Sequence, residues 1–503
     1  MADDEPARDA GDWLGHPKGL TVLFFTEMWE RMSYYGMRSL LVLYMIKHLL
    51  VRPDQGAEVL GFNALKFALE NAFGVLTPQA LSSQIYGLYT GFVYLTPLFG
   101  GLLADRLLGR HRAVLLGGVL MAAGHFLMAL ENFFLVALVL LIMGNGCFKP
   151  NISSRVGKLY AAGDPRRDRA YTIFYVGVNV GAFLAPLVCG TLGQVVGWHW
   201  GFGAAGVGML LGLLVYLLNQ DKLPTEPVPV AAAGAPLKGV AVFVVGVPLG
   251  ILALLSLLTL PPIVPLLVAA GAVAAGVTWL VRLPGDERPR VVALTIACLL
   301  TAAFWAVYEQ QGNTLQIWAD ESTQWPVVFG FQVPSTWYQA FNPFAIWLVV
   351  PLLNALWAWQ ARRGTEPGSL SKMALGCAIT GAGFIVLVVG AGKLTPGTKS
   401  SVLWLVVSTV IFTIGEIYLS PIGLSFVSKV APARLLSMMM GVWYLGTFIG
   451  NYMTGFLGSF YNRMGHAQFF GLMMAIGIGA GLVLFAMNRP LQRVLGAHDR
   501  PAA

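Results

Sequence analysis

"FFTEMWERMSYYGMRSLLVLYMI", Phe24 to Ile46, is apolar enough to cross a bilayer yet carries Glu27, Glu30, Arg31 and Arg38. A charge near mid-membrane costs roughly 2.5–3.5 kcal/mol on insertion scales, so these groups must face one another, other helices or water. Residues three or four apart share a helix face. Glu27, Arg31, Tyr34 or Tyr35, and Arg38 therefore form one polar stripe, with Glu30 at its margin, aligned with Tyr34. Such a stripe belongs to a helix that lines something inside a bundle of spans.

The rest of the chain agrees. Of 503 residues, 56% are hydrophobic and 11% charged, with mean hydropathy +0.69. A soluble chain carries roughly 25% charged residues. Runs such as "FFLVALVLLIMG" and "LALLSLLTLPPIVPLLVAAGAVAAGVTWLV" recur, and full segments approach the roughly 20 residues that span hydrocarbon as a helix. The first twenty residues are polar, so no cleavable signal peptide is expected. Cys147, Cys189, Cys298 and Cys377 lie in apolar stretches without CxxC spacing, which predicts packing residues rather than disulfides or a metal site. A net charge of +8 is explained by basic loops on one side of a membrane, and no nucleic-acid partner is expected.

About fourteen spans are predicted, near 20–48, 80–107, 112–131, 133–158, 169–193, 200–219, 238–259, 262–282, 290–318, 336–360, 370–391, 400–428, 435–461 and 467–488. Even-numbered connections hold the bases, among them Arg106, Arg110 and Arg112, then Arg155 to Arg169, then Arg362, Arg363 and Lys372. The opposite connections "ENFF", "GWHW" and "TLPP" have none, which predicts both termini on the cytoplasmic side. The expected organisation is an N-terminal tail (1–19), a six-helix bundle (20–220), a linker carrying two additional helices (221–289), a second six-helix bundle (290–488) and a C-terminal tail (489–503). Two bundles that rock about a central site are the plan of many carriers.

"GGLLADRLLGRHR", Gly100 to Arg112, closes the second span and opens the third. Arg106, Arg110 and Arg112 would hold the turn at the surface; Gly101 is expected to allow close helix approach and Gly109 a sharp bend. An ordinary basic loop explains the composition. The order of residues, however, resembles the G-x-x-x-D-R-x-x-G-R-x-R loop of the major facilitator superfamily.

Other spans carry ionisable groups too: Lys149 in "NGCFKPNISS", followed by Pro150, which should kink its helix; Glu309 in "AFWAVYEQQGNTL"; Glu416 in "FTIGEIYLSPIGL", upstream of a second expected kink at Pro421. Asn179 and Asn342 add amides, and Tyr94, Trp305, Tyr308 and Trp443 add aromatic rings. A buried amide often serves only a neighbouring carbonyl, and membrane aromatics are more often anchors or packing. Charge within a span, by contrast, is a functional-site hypothesis by default, with a structural ion-pair network as the alternative. Glu27, Glu30, Glu309 and Glu416 against Arg31, Arg38 and Lys149 leave one surplus carboxylate, which suits a site that exchanges a proton.

The combination resembles the proton-dependent oligopeptide transporter (POT/PTR) family of the major facilitator superfamily, in its bacterial form. Glu27, Glu30 and Arg31 are similar to its E-x-x-E-R motif, continued by "YYG"; "FYVGVNVGAF" resembles its fifth-span signature, with Asn179 at the amide position. "FKPN" and "FWAVYEQQ" resemble its fourth- and seventh-span segments. The resemblance implies a proton-coupled symporter importing di- and tripeptides by alternating access, a functional monomer in a bacterial inner membrane with no cofactor beyond the coupling proton. It also implies roles. Arg31 and Lys149 would hold the peptide carboxylate, and Glu416, Asn179 and Asn342 its amino group. Glu27 and Glu30 would exchange protons, and Arg38 would pair with Glu309 until Glu309 is protonated. Tyr34, Tyr35, Tyr94, Trp305 and Trp443 would line side-chain pockets. One departure stands out: animal members carry a coupling histidine in the second span where this chain has Gly87, so coupling would rest on carboxylates.

The chemistry fits without the name. A dipeptide is a zwitterion whose two charges are a fixed distance apart, so acid on one wall and base on the other select its ends. Relatives with the same fold carry other cargo, so nitrate, an amino-acid derivative or a drug-like molecule is the alternative. An enzyme is disfavoured because the seven histidines are scattered and no nucleophile–base pair or metal cluster is apparent. A channel is disfavoured because opposite charges are spread over many helices rather than gathered in a ring of one sign.

Overall fold

A computed structural model describes residues 13–51, 58–161, 164–224, 236–285, 287–395 and 397–495. Most of the N-terminal tail, the end of the C-terminal tail and positions 225–235 of the expected linker lie outside the described residues.

The described chain is almost entirely helical. In order, α1 (Lys18–Tyr44), α2 (Phe62–Phe73), α3 (Pro78–Leu103), α4 (Arg110–Leu127) and α5 (Phe134–Lys158) come first. Then follow α6 (Arg166–Ala185), α7 (Trp198–Leu218), α8 (Pro236–Leu257), α9 (Ile263–Val281), α10 (Arg288–Tyr308) and α11 (Thr314–Glu321). The series ends with α12 (Phe341–Arg362), α13 (Ser369–Gly392), α14 (Leu403–Val430), α15 (Leu436–Gly458) and α16 (His466–Leu495). A helix occupies each of the fourteen expected spans, and eleven are long and apolar enough to cross a membrane on length and composition alone. The chain is an all-α, multi-pass membrane protein. α1 falls outside those eleven, together with α4 and α15.

Three features were not visible in the pattern of spans. Between the first two spans lies the short amphipathic helix α2, whose Asn71 Nδ2 donates to the Leu258 carbonyl at 2.8 Å. The seventh span is two helices rather than one: α10 stops at Tyr308, a 3-10 turn takes Glu309–Gly312, and α11 resumes at Thr314. After α11 come a two-residue parallel pairing of β1 (Thr323–Gln324) with β4 (Ser400–Ser401) and a hairpin of β2 (Val327–Val328) and β3 (Phe331–Gln332). Phe329 and Gly330 turn that hairpin with φ of 51° and 78°, the left-handed pair that a two-residue turn requires.

The chain divides into two compact units, one of residues 1–38 and 96–248, the other of 39–95 and 249–503. In the first, Leu103, Leu108, Met143, Cys147 and Phe243 form a core. The loop motif bends at Gly109 as read, with φ 77°, and the structure adds an ion pair of Arg110 with Asp105 at 3.2 Å. The expectation for Gly101 is corrected. A Cβ there would meet nothing within 4 Å, whereas one on Gly100 would sit 2.0 Å from the Gly146 carbonyl oxygen. Gly100 is therefore the residue that lets α3 and α5 touch backbone to backbone. In the second unit α13 packs on α14 and α16, and α10 on α15. All four cysteines are buried.

Candidate functional site

In the first unit the E-x-x-E-R residues of α1 form one buried cluster. Arg31, 2% exposed, directs Nε to Glu30 Oε2 and Nη2 to Glu30 Oε1 at 2.7 Å, a two-pronged pairing with its chain neighbour. Glu27, one turn back, approaches the same Nε at 3.2 Å. Glu30, at the margin of the stripe, is thus drawn to it through the Arg31 side chain. Two buried carboxylates on one guanidinium leave Lys149, on α5, as the next cation acting on Glu27. The guanidinium also lies 5.2 Å above the Tyr34 ring, which meets Tyr35 edge-on at 5.2 Å, and Arg38 lies 5.8 Å from the Tyr35 ring. An arginine gains from aromatic faces of this kind.

α6 presses directly on this motif. A Cβ on Gly181 would lie 2.2 Å from the Met28 carbonyl oxygen and 3.0 Å from Arg31 Cβ, so only glycine fits there. Two residues earlier, Asn179 Nδ2 donates to the Tyr175 carbonyl of its own helix at 2.9 Å. Lys149 is partly exposed within a continuous α5 that carries Pro150 internally.

The second unit assembles a different site from three helices. Glu416 Oε2, on α14, accepts from the Tyr308 hydroxyl at 2.6 Å and from Asn342 Nδ2 at 2.9 Å. Asn342 also donates to Thr413 Oγ1 at 3.0 Å, one turn before Glu416. Hydrogen bonds to an ionised acceptor are the strong ones, and here two neutral donors fix the carboxylate's orientation. The sequence had offered Tyr308 only as an accompanying aromatic ring. Its position next to Glu309, where α10 ends, was the one signal available.

Aromatic side chains lie on the same helices and their neighbours. Trp305 is 8% exposed, meets Tyr308 edge-on at 5.9 Å and lies 6.4 Å from Tyr94. Its indole Nε1 is buried without a hydrogen-bond partner among the described residues. Trp443 is 3% exposed and fills the notch over Gly423 of α14, where a Cβ would lie 2.0 Å from the indole. Glu309 is buried at the start of the 3-10 turn. Gly87, where the second-span histidine was missing, is pressed against α15: a Cβ there would lie 2.7 Å from Gly455 Cα. No side chain fits between these backbones, which gives the departure a physical reason.

The comparisons with known proteins agree with one another. The model of the POT family matches residues 111–476. A peptide transporter, YePEPT of Yersinia enterocolitica, is 34% identical over 89% of this chain and 88% of its own. A di-/tripeptide transporter of Lactococcus lactis subsp. cremoris is 33% identical over 96% of this chain and 97% of its own. Among solved structures, a peptide transporter POT in complex with sulfate superposes with a TM-score of 0.80, at 34% identity over 96% of this chain and 97% of the other. Helices, motifs and relatives thus lead to one statement: the chain belongs to the POT family, within the major facilitator fold.

Proposed function

We propose that this protein is a proton-coupled symporter that imports di- and tripeptides by alternating access. The observation that carries the reading is the Glu416 carboxylate, held on one oxygen by Tyr308 and Asn342 as an acceptor for a peptide ammonium group. Arg31 and Lys149 bind the peptide carboxylate, while Trp305, Tyr94, Tyr34, Tyr35 and Trp443 accommodate side chains. Asn179 contributes to the amino-group site if its amide leaves the Tyr175 carbonyl. Glu27, Glu30 and Glu309 exchange the coupling proton, and Arg38 pairs with Glu309 until that proton arrives. Removing the charge of one carboxylate changes which ion pairs are satisfied, and thereby the balance between inward- and outward-facing states. The protein works as a monomer in the bacterial cytoplasmic membrane with both termini inside, and needs no cofactor or catalytic chemistry.

Uptake of labelled dialanine into proteoliposomes under an inward proton gradient tests this reading. Uptake should collapse with an uncoupler; uptake indifferent to the uncoupler overturns proton symport. A second cargo is favoured by one observation. A POT family transporter 30% identical to this chain, with a TM-score of 0.77 over 95% of this chain and 98% of the other, was solved in complex with 5-aminolevulinic acid. That molecule carries an ammonium and a carboxylate without a peptide bond. Stronger competition by 5-aminolevulinic acid than by dialanine would replace the peptide assignment with an amino-acid derivative.

A further inference from the structure

The broken seventh span is tied into a buried network of uncharged side chains. Gln310, in the turn that starts at Glu309, donates through Nε2 to the Ala306 carbonyl at 3.2 Å and to the Thr454 carbonyl of α15 at 3.0 Å. Its Oε1 accepts from Thr314 Oγ1 at 2.8 Å. Asn313, the joint between turn and α11, directs Nδ2 to the same Thr454 carbonyl at 3.3 Å. Thr454 in turn donates to Gly450 of its own helix at 3.1 Å and lies 3.3 Å from the Trp305 and Ala306 carbonyls.

The network then reaches α3. Ser83 Oγ donates to Asn313 Oδ1 at 2.9 Å, and Gln79 Nε2 donates to both Ser83 Oγ and the Gly458 carbonyl at 2.9 Å. Gln310, Asn313, Thr314, Ser83 and Thr454 are wholly buried, and Gln79 is 4% exposed. One turn along α3, the contact of Gly87 with Gly455 closes the gap to backbone distance.

The satisfaction is incomplete. Gln79 Oε1 and both ends of the Gln84 amide are buried without a hydrogen-bond partner among the described residues. Unsatisfied buried amides disfavour the arrangement that contains them, so it is held by few bonds and opposed by others. A 3-10 turn inside a span is a common hinge. This one bears Glu309.

We propose that Gln79, Ser83, Asn313, Gln310 and Thr454 form an uncharged latch: positioning residues that fasten the turn bearing Glu309 to α3 and α15, and that must release in each transport cycle. Gln310 and Asn313 share one acceptor, the Thr454 carbonyl, so rotation of the turn breaks both bonds together. Ser83 is the residue of α3 that bonds Asn313, so the same movement also breaks the tie between the turn and α3, while Gln79 keeps α3 on the Gly458 carbonyl of α15. The proposal rests on the reading of Glu309 as a coupling carboxylate for its place in the cycle, and on the network alone for its existence.

The test places a reporter cysteine at Gln84, as Gln84→Cys, in full-length protein in proteoliposomes with a membrane-impermeant maleimide on both faces. Adding Ser83→Ala should speed labelling by about fivefold, the effect of one lost hydrogen bond on an opening equilibrium. It should lower the maximal rate of gradient-driven uptake while leaving the KM for dialanine within about twofold. Asn313→Ala should act in the same direction, and Ser83→Thr, which keeps the hydroxyl, should restore slow labelling. Unchanged labelling in both Ser83→Ala and Asn313→Ala overturns the latch, as does faster labelling that Ser83→Thr fails to reverse. Failure of the coupling reading is seen separately: Glu309→Gln would retain gradient-driven uptake, with the labelling response to Ser83→Ala intact.

Discussion

The two units hold their buried carboxylates in different ways. In the first, Glu27 and Glu30 share one guanidinium contributed by the next few residues of the same helix. In the second, Glu416 is oriented by a hydroxyl and an amide from two other helices, 108 and 74 residues earlier in the chain. The first arrangement is charge against charge and nearly self-contained. The second is a carboxylate with neutral donors of its own unit, a geometry suited to receive a cation. On the function proposed above, the difference would separate a group whose protonation disturbs an ion pair from one whose charge recognises a ligand.

The severest way to break this contrast is to remove the shared cation. Arg31→Met leaves two carboxylates buried without their guanidinium and should cost about 3–5 kcal/mol, enough to abolish transport and lower the melting temperature in detergent. A variant that stays stable and active would show that the cluster is not an interdependent unit. Milder substitutions separate coupling from binding. Glu27→Gln and Glu309→Gln should each abolish gradient-driven uptake of dialanine, while counterflow exchange survives in at least one. If both drive uptake normally, the proton assignment is wrong.

The second site should respond in affinity instead. Tyr308→Phe and Asn342→Ala each remove one bond to a carboxylate, worth about 1.5–3 kcal/mol, so KM should rise at least about tenfold without loss of proton dependence. Equal loss of coupling would mean that Glu416 also serves the proton. The smallest effect is expected at Glu287, which receives a hydrogen bond from Arg434 that holds its carboxyl below the ordinary value of 4.5. Because the folded-state value is depressed, the stabilisation is present above pH 4.5 and fades as pH falls through the lowered value. Glu287→Gln should therefore lower the melting temperature slightly at neutral pH, leave the low-pH values almost unchanged, and so flatten the acid limb. An unaltered limb would place Glu287 outside the acid response.

Much of this was legible because membrane spans announce themselves. The positions of the helices followed from apolar length. The crowding of Glu27, Glu30, Arg31 and Arg38 marked a lining helix because lipid tolerates no such stripe. Glycines were harder to read: Gly100 and Gly101 look alike in the chain, and only the approach of α5 distinguishes them. The break at Glu309 was hidden because "YEQQGNTLQ" is equally consistent with a polar helix face. Asn179 carried two readings, and its bond to Tyr175 is the plainer of them in this conformation.

The sequence by itself determined the class of molecule, the succession of spans and the charged cluster of α1. These depend on hydropathy and on residues within one or two helical turns of each other. Only the tertiary structure joined Tyr308, Asn342 and Glu416, seated Gly87 against Gly455 and tied the turn after Tyr308 to α3 and α15. Those pairings cross tens to hundreds of residues. They exist because a buried polar group must find its partner on whichever helix packing brings near.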